Sequence, residues 1–148
     1  MPALFSNYML ISAAIGWAAA QIIKTILSLI TTRKFEVERL FGSGGMPSSH
    51  SSAVCAFATM AGLTCGMGSF EFGISTLFAC VVMYDAVGVR RAVGEHAKHL
   101  NTLHEMFSNE KSPEETFKEL IGHTPFQVLM GLILGVGSAL IVYFIVTA

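Results

Sequence analysis

Four apolar stretches make up most of this chain, and each is long enough, or nearly so, to cross a bilayer as a helix. They run over Tyr8–Ile30, Ser51–Met67, Phe72–Val89 and Phe126–Val146, against the ~20 residues that a helical span needs. Inside hydrocarbon, every backbone N–H and C=O must find a partner within the protein, which leaves helices or closed barrels as spanning structures. Continuous apolar runs of this length favour helices. At 53% hydrophobic and 13% charged residues, with a mean hydropathy of +0.61, the chain is too apolar for an ordinary soluble domain. The first stretch is no cleaved signal peptide: it lacks a basic start, is too long, and carries Lys24 late in its run. The second is short and rich in Ala, Gly, Thr and Cys, which suits the inside of a bundle. The expected fold is all-α: a polytopic membrane bundle of about four transmembrane helices, with a short amphipathic or soluble helical insert over 92–121, in one domain spanning 1–148.

The charges are unevenly placed. Lys24 lies near the end of the first stretch; Arg33, Lys34 and Arg39 follow it. Arg90, Arg91, Lys98, Lys111 and Lys118 lie between the third and fourth stretches, and none lies at either chain end or near Ser69. The positive-inside rule makes the first and third connections cytoplasmic. The asymmetry survives setting Lys24, Arg90 and Arg91 aside as ligand-binding residues. A net charge of −1 gives no reason to expect a nucleic-acid partner. Cys55, Cys65 and Cys80 all fall in apolar segments without a C-x-x-C pair and read as small core residues.

The polar chemistry collects on that same side. Gly42-Ser43-Gly44-Gly45-Met46-Pro47-Ser48-Ser49-His50-Ser51 leads into the second stretch. Glycines such as Gly45 let backbone N–H groups approach a ligand. Ser48 and Ser49 add hydroxyls at the positive end of a helix dipole, and His50 can carry a proton near neutral pH. This pattern describes a phosphate-like anion site with an acid or base beside it; the plainer alternative is a flexible loop ending in a serine cap. Gln21, Lys24, Ser28 and Thr31 recur on one helical face. Asp85, Arg90 and Arg91 close the third stretch and His123 opens the fourth. An ionisable group within a span costs ~2.5–3.5 kcal/mol, so Lys24 and Asp85 need a reason to be there. A Lys24–Asp85 ion pair that holds helices together is the structural alternative.

Within the insert, Val93, Ala97, Leu100, Leu103 and Phe107 form an amphipathic stripe suited to a membrane surface. Ser112-Pro113-Glu114-Glu115 is a capping box that should start a short helix ending at Gly122. His96, His99 and His104 have no companion ligands at a recognised metal spacing and read as a solvated face. Gly131-x-x-x-Gly135 predicts close helix packing.

Pro47-Ser48-Ser49-His50 resembles the P-S-G-H motif of the type 2 phosphatidic acid phosphatase and vanadium-dependent haloperoxidase superfamily. Gly122-His123-Thr124-Pro125-Phe126-Gln127-Val128, followed by Gly131 and Gly135, is similar to its last motif. Asp85-Ala86-Val87-Gly88-Val89-Arg90-Arg91 with the later Leu100-Asn101 resembles the compact, divergent branch of that superfamily. The resemblance covers roughly Lys24 to Gly135. It implies a metal-independent phosphatase without a cofactor, with His123 as nucleophile forming a phosphohistidine and His50 as general acid. Lys24 and one of Arg90 or Arg91 would clamp the phosphate, helped by Ser48, Ser49 and Gly45.

Three departures stand out. Ser49 replaces the motif's glycine. Gln127 replaces an aspartate that orients the nucleophile, leaving Asp85 or Glu119 as the nearest sources of countercharge. After Lys24 the next arginine is Arg33, with no proline following. An alternative alignment makes His96 the nucleophile, because its spacing from Arg90 matches the family; the H-T-P context favours His123. The expected activity is hydrolysis of a phosphate or diphosphate monoester of a lipid in a bacterial plasma membrane. The alternative is a phospholipid-binding or transport protein of the same fold. Membrane lipids, and a second copy of the chain, are the other partners to consider.

Overall fold

The computed structural model describes residues 6–33, 45–107, 117 and 122–148. Regular structure among them is entirely helical: α1 (Tyr8–Thr32), α2 (Ser49–Cys65), α3 (Phe70–Val87), α4 (Val89–Phe107) and α5 (Pro125–Thr147). Gly42, Gly44, Lys34, Arg39, the capping box at Ser112–Glu115 and Glu119 lie outside the described residues.

The helices start where the sequence offers caps. The Asn7 side chain accepts from the backbone N–H of Met9 and Leu10, and Ser48, Ser69 and Thr124 cap α2, α3 and α5. Each supplies an acceptor to a backbone donor that the first turn leaves unpaired. Among the described residues, three helices are long and apolar enough to cross a membrane: α1, α3 with its continuation into α4, and α5. The second expected span behaves differently. At 17 residues, α2 is shorter and sits in the middle of the bundle, packed against α1, α3 and α5. A helix surrounded by protein need not match the lipid in length or apolarity, which is why Ser, Ala, Gly and Thr suffice for its sequence.

Two seams of small residues bring α2 against its neighbours. On one side, a Cβ added to Gly131 would lie 2.4 Å from the Ser48 carbonyl oxygen, and one added to Gly135 would lie 2.3 Å from that of Ser52. These are backbone atoms that cannot step aside, so the Gly131-x-x-x-Gly135 pair lets α5 run parallel to α2 in direct backbone contact. On the other side, Gly16 of α1 approaches Ser52 and Ala56, and the Ser52 hydroxyl donates to the Gly16 carbonyl at 2.8 Å. Away from the polar end, Ala56, Met60, Ala139 and Val142 form the apolar core.

The third span ends two residues earlier than its apolar run suggests. Gly88 breaks the helix, and α4 starts at once at Val89. On α4 the stripe divides. Ala97 is buried beside Gly94, whereas Val93, Leu100 and Leu103 are exposed. The apolar edge is therefore free to meet lipid, as a surface-lying helix requires. The Asn101 amide pins the returning chain by accepting from the Phe117 N–H at 2.8 Å and donating to the Phe117 carbonyl at 2.9 Å.

Candidate active site

The ends of α2, α3, α4 and α5 meet at one cavity of about 250 Å³, lined by His50, Val81, Val82, Asp85, Ala86, Arg90, Gly122 and His123. Two backbone hydrogen bonds fix its frame. The Ser48 N–H donates to the Gln127 carbonyl at 3.1 Å, tying the start of α2 to the first turn of α5. The His123 N–H donates to the Ala86 carbonyl at 3.0 Å, tying His123 to the end of α3. The N-termini of α2 and α5 thereby lie side by side, and their dipoles add at the cavity, a favourable place for an anion.

Gly122 makes this approach feasible. Its φ is +92°, and a Cβ there would lie 2.4 Å from the Arg91 backbone nitrogen. Only glycine accepts both the backbone angle and the contact. This contact also separates the two arginines: Arg90 lines the cavity, whereas the exposed Arg91 meets Gly122 through its backbone and is not among the lining residues.

His123 is 4% exposed. Its Nδ1 lies 3.4 Å from the Gln127 Oε1. That oxygen already accepts the Thr124 N–H at 3.0 Å, while the Thr124 hydroxyl accepts the Gln127 N–H at 3.3 Å. Gln127 is thus half of a capping box that the T-x-x-Q spacing announces. Because Oε1 acts as an acceptor, the facing Nδ1 is the protonated nitrogen, and the lone pair falls on Nε2. Burial holds the His123 pKa below the usual histidine value. The Gln127 contact pulls it back up, and the positive charges of Lys24, His50 and Arg90 push it down again. At neutral pH the ring is therefore neutral and nucleophilic.

Lys24 is 3% exposed, and its methylenes pass 3.3 to 3.9 Å from where a Gly45 Cβ would be. Gly45 itself has a φ of +94°. Asp85 forms its ion pair with Arg90, through Nε and Oδ2, so the partner is the arginine just across the Gly88 break. With both side chains substantially exposed, such a pair is worth at most about 1 kcal/mol; its consequence is to aim Arg90. Ser48 and Ser49 are buried, and the Ser48 hydroxyl is occupied in capping Ser51. His96 lies exposed on α4 and does not line the cavity. Among the described residues, no group of three or more His, Cys, Asp and Glu is placed to hold a metal ion. Val81, Val82 and Ala86 also line the cavity; the i−4 and i−3 spacing of Val81 and Val82 from Asp85 puts those two on its helical face, a signal the sequence offers.

The sequence profile of the divergent PAP2 family matches residues 5–138 of this chain. The uncharacterized membrane protein YuiD of Bacillus subtilis (strain 168) is 37% identical over 145 residues, covering 90% of this chain and 92% of its own length. No solved structure matches. The chain belongs to the divergent PAP2 family.

Proposed function

We propose that this member of the divergent PAP2 family is a membrane phosphatase that hydrolyses a phosphate or diphosphate monoester of a lipid through a phosphohistidine. The observation that carries this reading is the convergence of a buried histidine, a second histidine and an arginine on one cavity at the polar end of a membrane bundle. In the first half-reaction, the Nε2 lone pair of His123 attacks phosphorus and a P–N bond forms. The P–O ester bond breaks, and His50 gives its proton to the leaving oxygen. In the second, the now neutral His50 takes a proton from water, the water oxygen attacks phosphorus, the P–N bond breaks, and phosphate leaves. Arg90, Lys24 and the helix N-termini neutralise charge on the transferring group, which is most of what phosphoryl transfer asks of a protein.

The test is phosphate release by the purified protein from a panel of lipid phosphates and diphosphates, with and without a chelator. Release that survives the chelator supports the reading. Loss restored by one divalent ion transfers the chemistry to a metal.

One observation favours a second reading, a protein that binds a phosphorylated lipid without cleaving it. The partner of His123 is an uncharged amide, and the nearby carboxylate of Asp85 is already paired with Arg90. Phosphate analogues that raise the melting temperature of a protein with no turnover would select that alternative.

The charge distribution along the sequence supports a site that faces the cytoplasm. A cysteine introduced at Gly68, where open space surrounds the backbone, should be labelled from outside intact cells. Labelling only from the cytoplasm would reverse the orientation.

A further inference from the structure

The structure holds a second cavity, and its position along α2 and α3 gives it a meaning. It measures about 380 Å³ and is lined by Ala53, Val54 and Phe57 of α2, Ile74 and Phe78 of α3, and Ala13 of α1. The polar lining residue, Ser75, directs its hydroxyl to the Phe72 carbonyl at 3.1 Å, so the wall offers almost nothing to a polar ligand.

The two cavities occupy consecutive turns of the same two helices. On α2, His50 lines the polar cavity, and Ala53, Val54 and Phe57 follow at i+3, i+4 and i+7. On α3, Asp85, Val82 and Val81 line the polar cavity, and Phe78 and Ile74 continue the same face one and two turns back. This spacing puts both sets on one helical stripe. From His50 to Phe57 the stripe runs about 10 Å at a helical rise of ~1.5 Å per residue. It leads from the polar end toward the middle of a hydrocarbon core ~30 Å thick. A lipid in a bilayer has this same disposition, with its head group at the surface and its chain pointing inward.

We propose that the α2–α3 groove is the tail subsite of the enzyme: one hydrocarbon chain of a phosphorylated lipid lies along Ala53, Val54, Phe57 and Phe78 while its phosphate ester occupies the His50–His123 cavity. The proposal rests on the phosphatase reading for the identity of the head group and adds where the chain goes and which residues select it. Ala13 and Ala53 leave the groove open by being small, so a larger side chain at either position occupies the space of the tail. A chain already dissolved in the bilayer gains little from leaving water. Selection therefore comes from shape, and the groove should discriminate among chains rather than supply bulk affinity.

The experiment uses the full chain in lipid nanodiscs and two probes that cannot be hydrolysed, methylphosphonate and dodecylphosphonate. Ala53→Phe should weaken dodecylphosphonate binding by about fivefold or more, as overpacking against a filled site does, and leave methylphosphonate binding unchanged. Phe78→Ala, on a wall that is 61% exposed and so of little consequence for folding, should weaken only the long-chain probe, by about twofold to threefold. Equal effects on both probes, or none in either folded variant, would overturn the tail subsite. If neither phosphonate binds the wild-type protein, the head-group reading fails with it. If dodecylphosphonate binds in the groove-dependent way but dodecyl phosphate is not cleaved, the tail subsite stands and the phosphatase reading alone falls.

Discussion

The two sides of α2 are built by opposite rules. Toward α5, Gly131 and Gly135 bring backbones into contact with no room for a single added carbon, and toward α1 Gly16 packs closely on Ser52 and Ala56. Toward α3, the same helix leaves a crevice of about 380 Å³ and, at its polar end, the cavity that holds His50 and His123. The tight side fixes where His50 and the start of α5 sit. The loose side is where a ligand has space. The proposed phosphatase chemistry needs both, because a nucleophile displaced by about 1 Å can cost on the order of 100-fold in rate.

The contrast is broken most severely by filling the tight side. Gly135→Leu should abolish accumulation of folded protein, since its first side-chain carbon already meets the Ser52 carbonyl oxygen. On the loose side, Leu77→Ala on the exposed face of α3 should change the melting temperature in detergent by no more than a few degrees. Comparable losses at the two positions would mean that the glycine seam is not what holds α2.

Next in size is the chemistry. His123→Ala and His50→Ala should each reduce phosphate release by at least about 100-fold, the scale of a lost nucleophile or general acid, with melting temperatures close to wild type. Near-normal activity in the His123 variant, together with a dead His96→Ala, would move the nucleophile to α4.

A smaller effect belongs to Gln127, which joins the tight side to the site. Its hydrogen bond raises the His123 pKa against burial. In the proposed mechanism the neutral ring attacks, so activity should fall as pH drops through the His123 pKa. Because burial lowers that pKa, the acid limb of the rate profile should lie below the ordinary histidine value. Gln127→Asp should move the limb to higher pH and raise turnover by about tenfold, which needs only ~1.4 kcal/mol at the transition state. Gln127→Leu should move it lower and reduce turnover. An acid limb that stays fixed across all three proteins would show that Gln127 does not act on the nucleophile.

Much of this arrangement can be read from the residues. The apolar runs locate α1, α2, α3 and α5 to within a few residues, because lipid leaves the backbone few alternatives. The Gly131-x-x-x-Gly135 spacing announces a close contact; what it cannot announce is the partner, since small residues at that period occur in both α1 and α2. The Gly88 break is hidden for a related reason: glycine is common inside membrane helices, so nothing marks this one as a stop. Missing the break also hides the Asp85–Arg90 pair, which is formed across it. The link from Asn101 to Phe117 joins a side chain to backbone atoms 16 residues away and leaves no local pattern. The groove beyond His50 is harder still, because a void depends on what three helices leave unfilled.

The central claim is a covalent phosphohistidine at His123, and trapping it tests that claim most directly. The purified protein is mixed briefly with a lipid phosphate labelled at phosphorus and quenched in alkali, and the labelled peptide is then mapped. The account predicts an acid-labile, base-stable label on the peptide that carries His123, lost in His123→Ala and accumulating in His50→Ala if that variant retains attack but loses proton transfer to water. Steady phosphate release with no label at His123, or a label on His96, would contradict it.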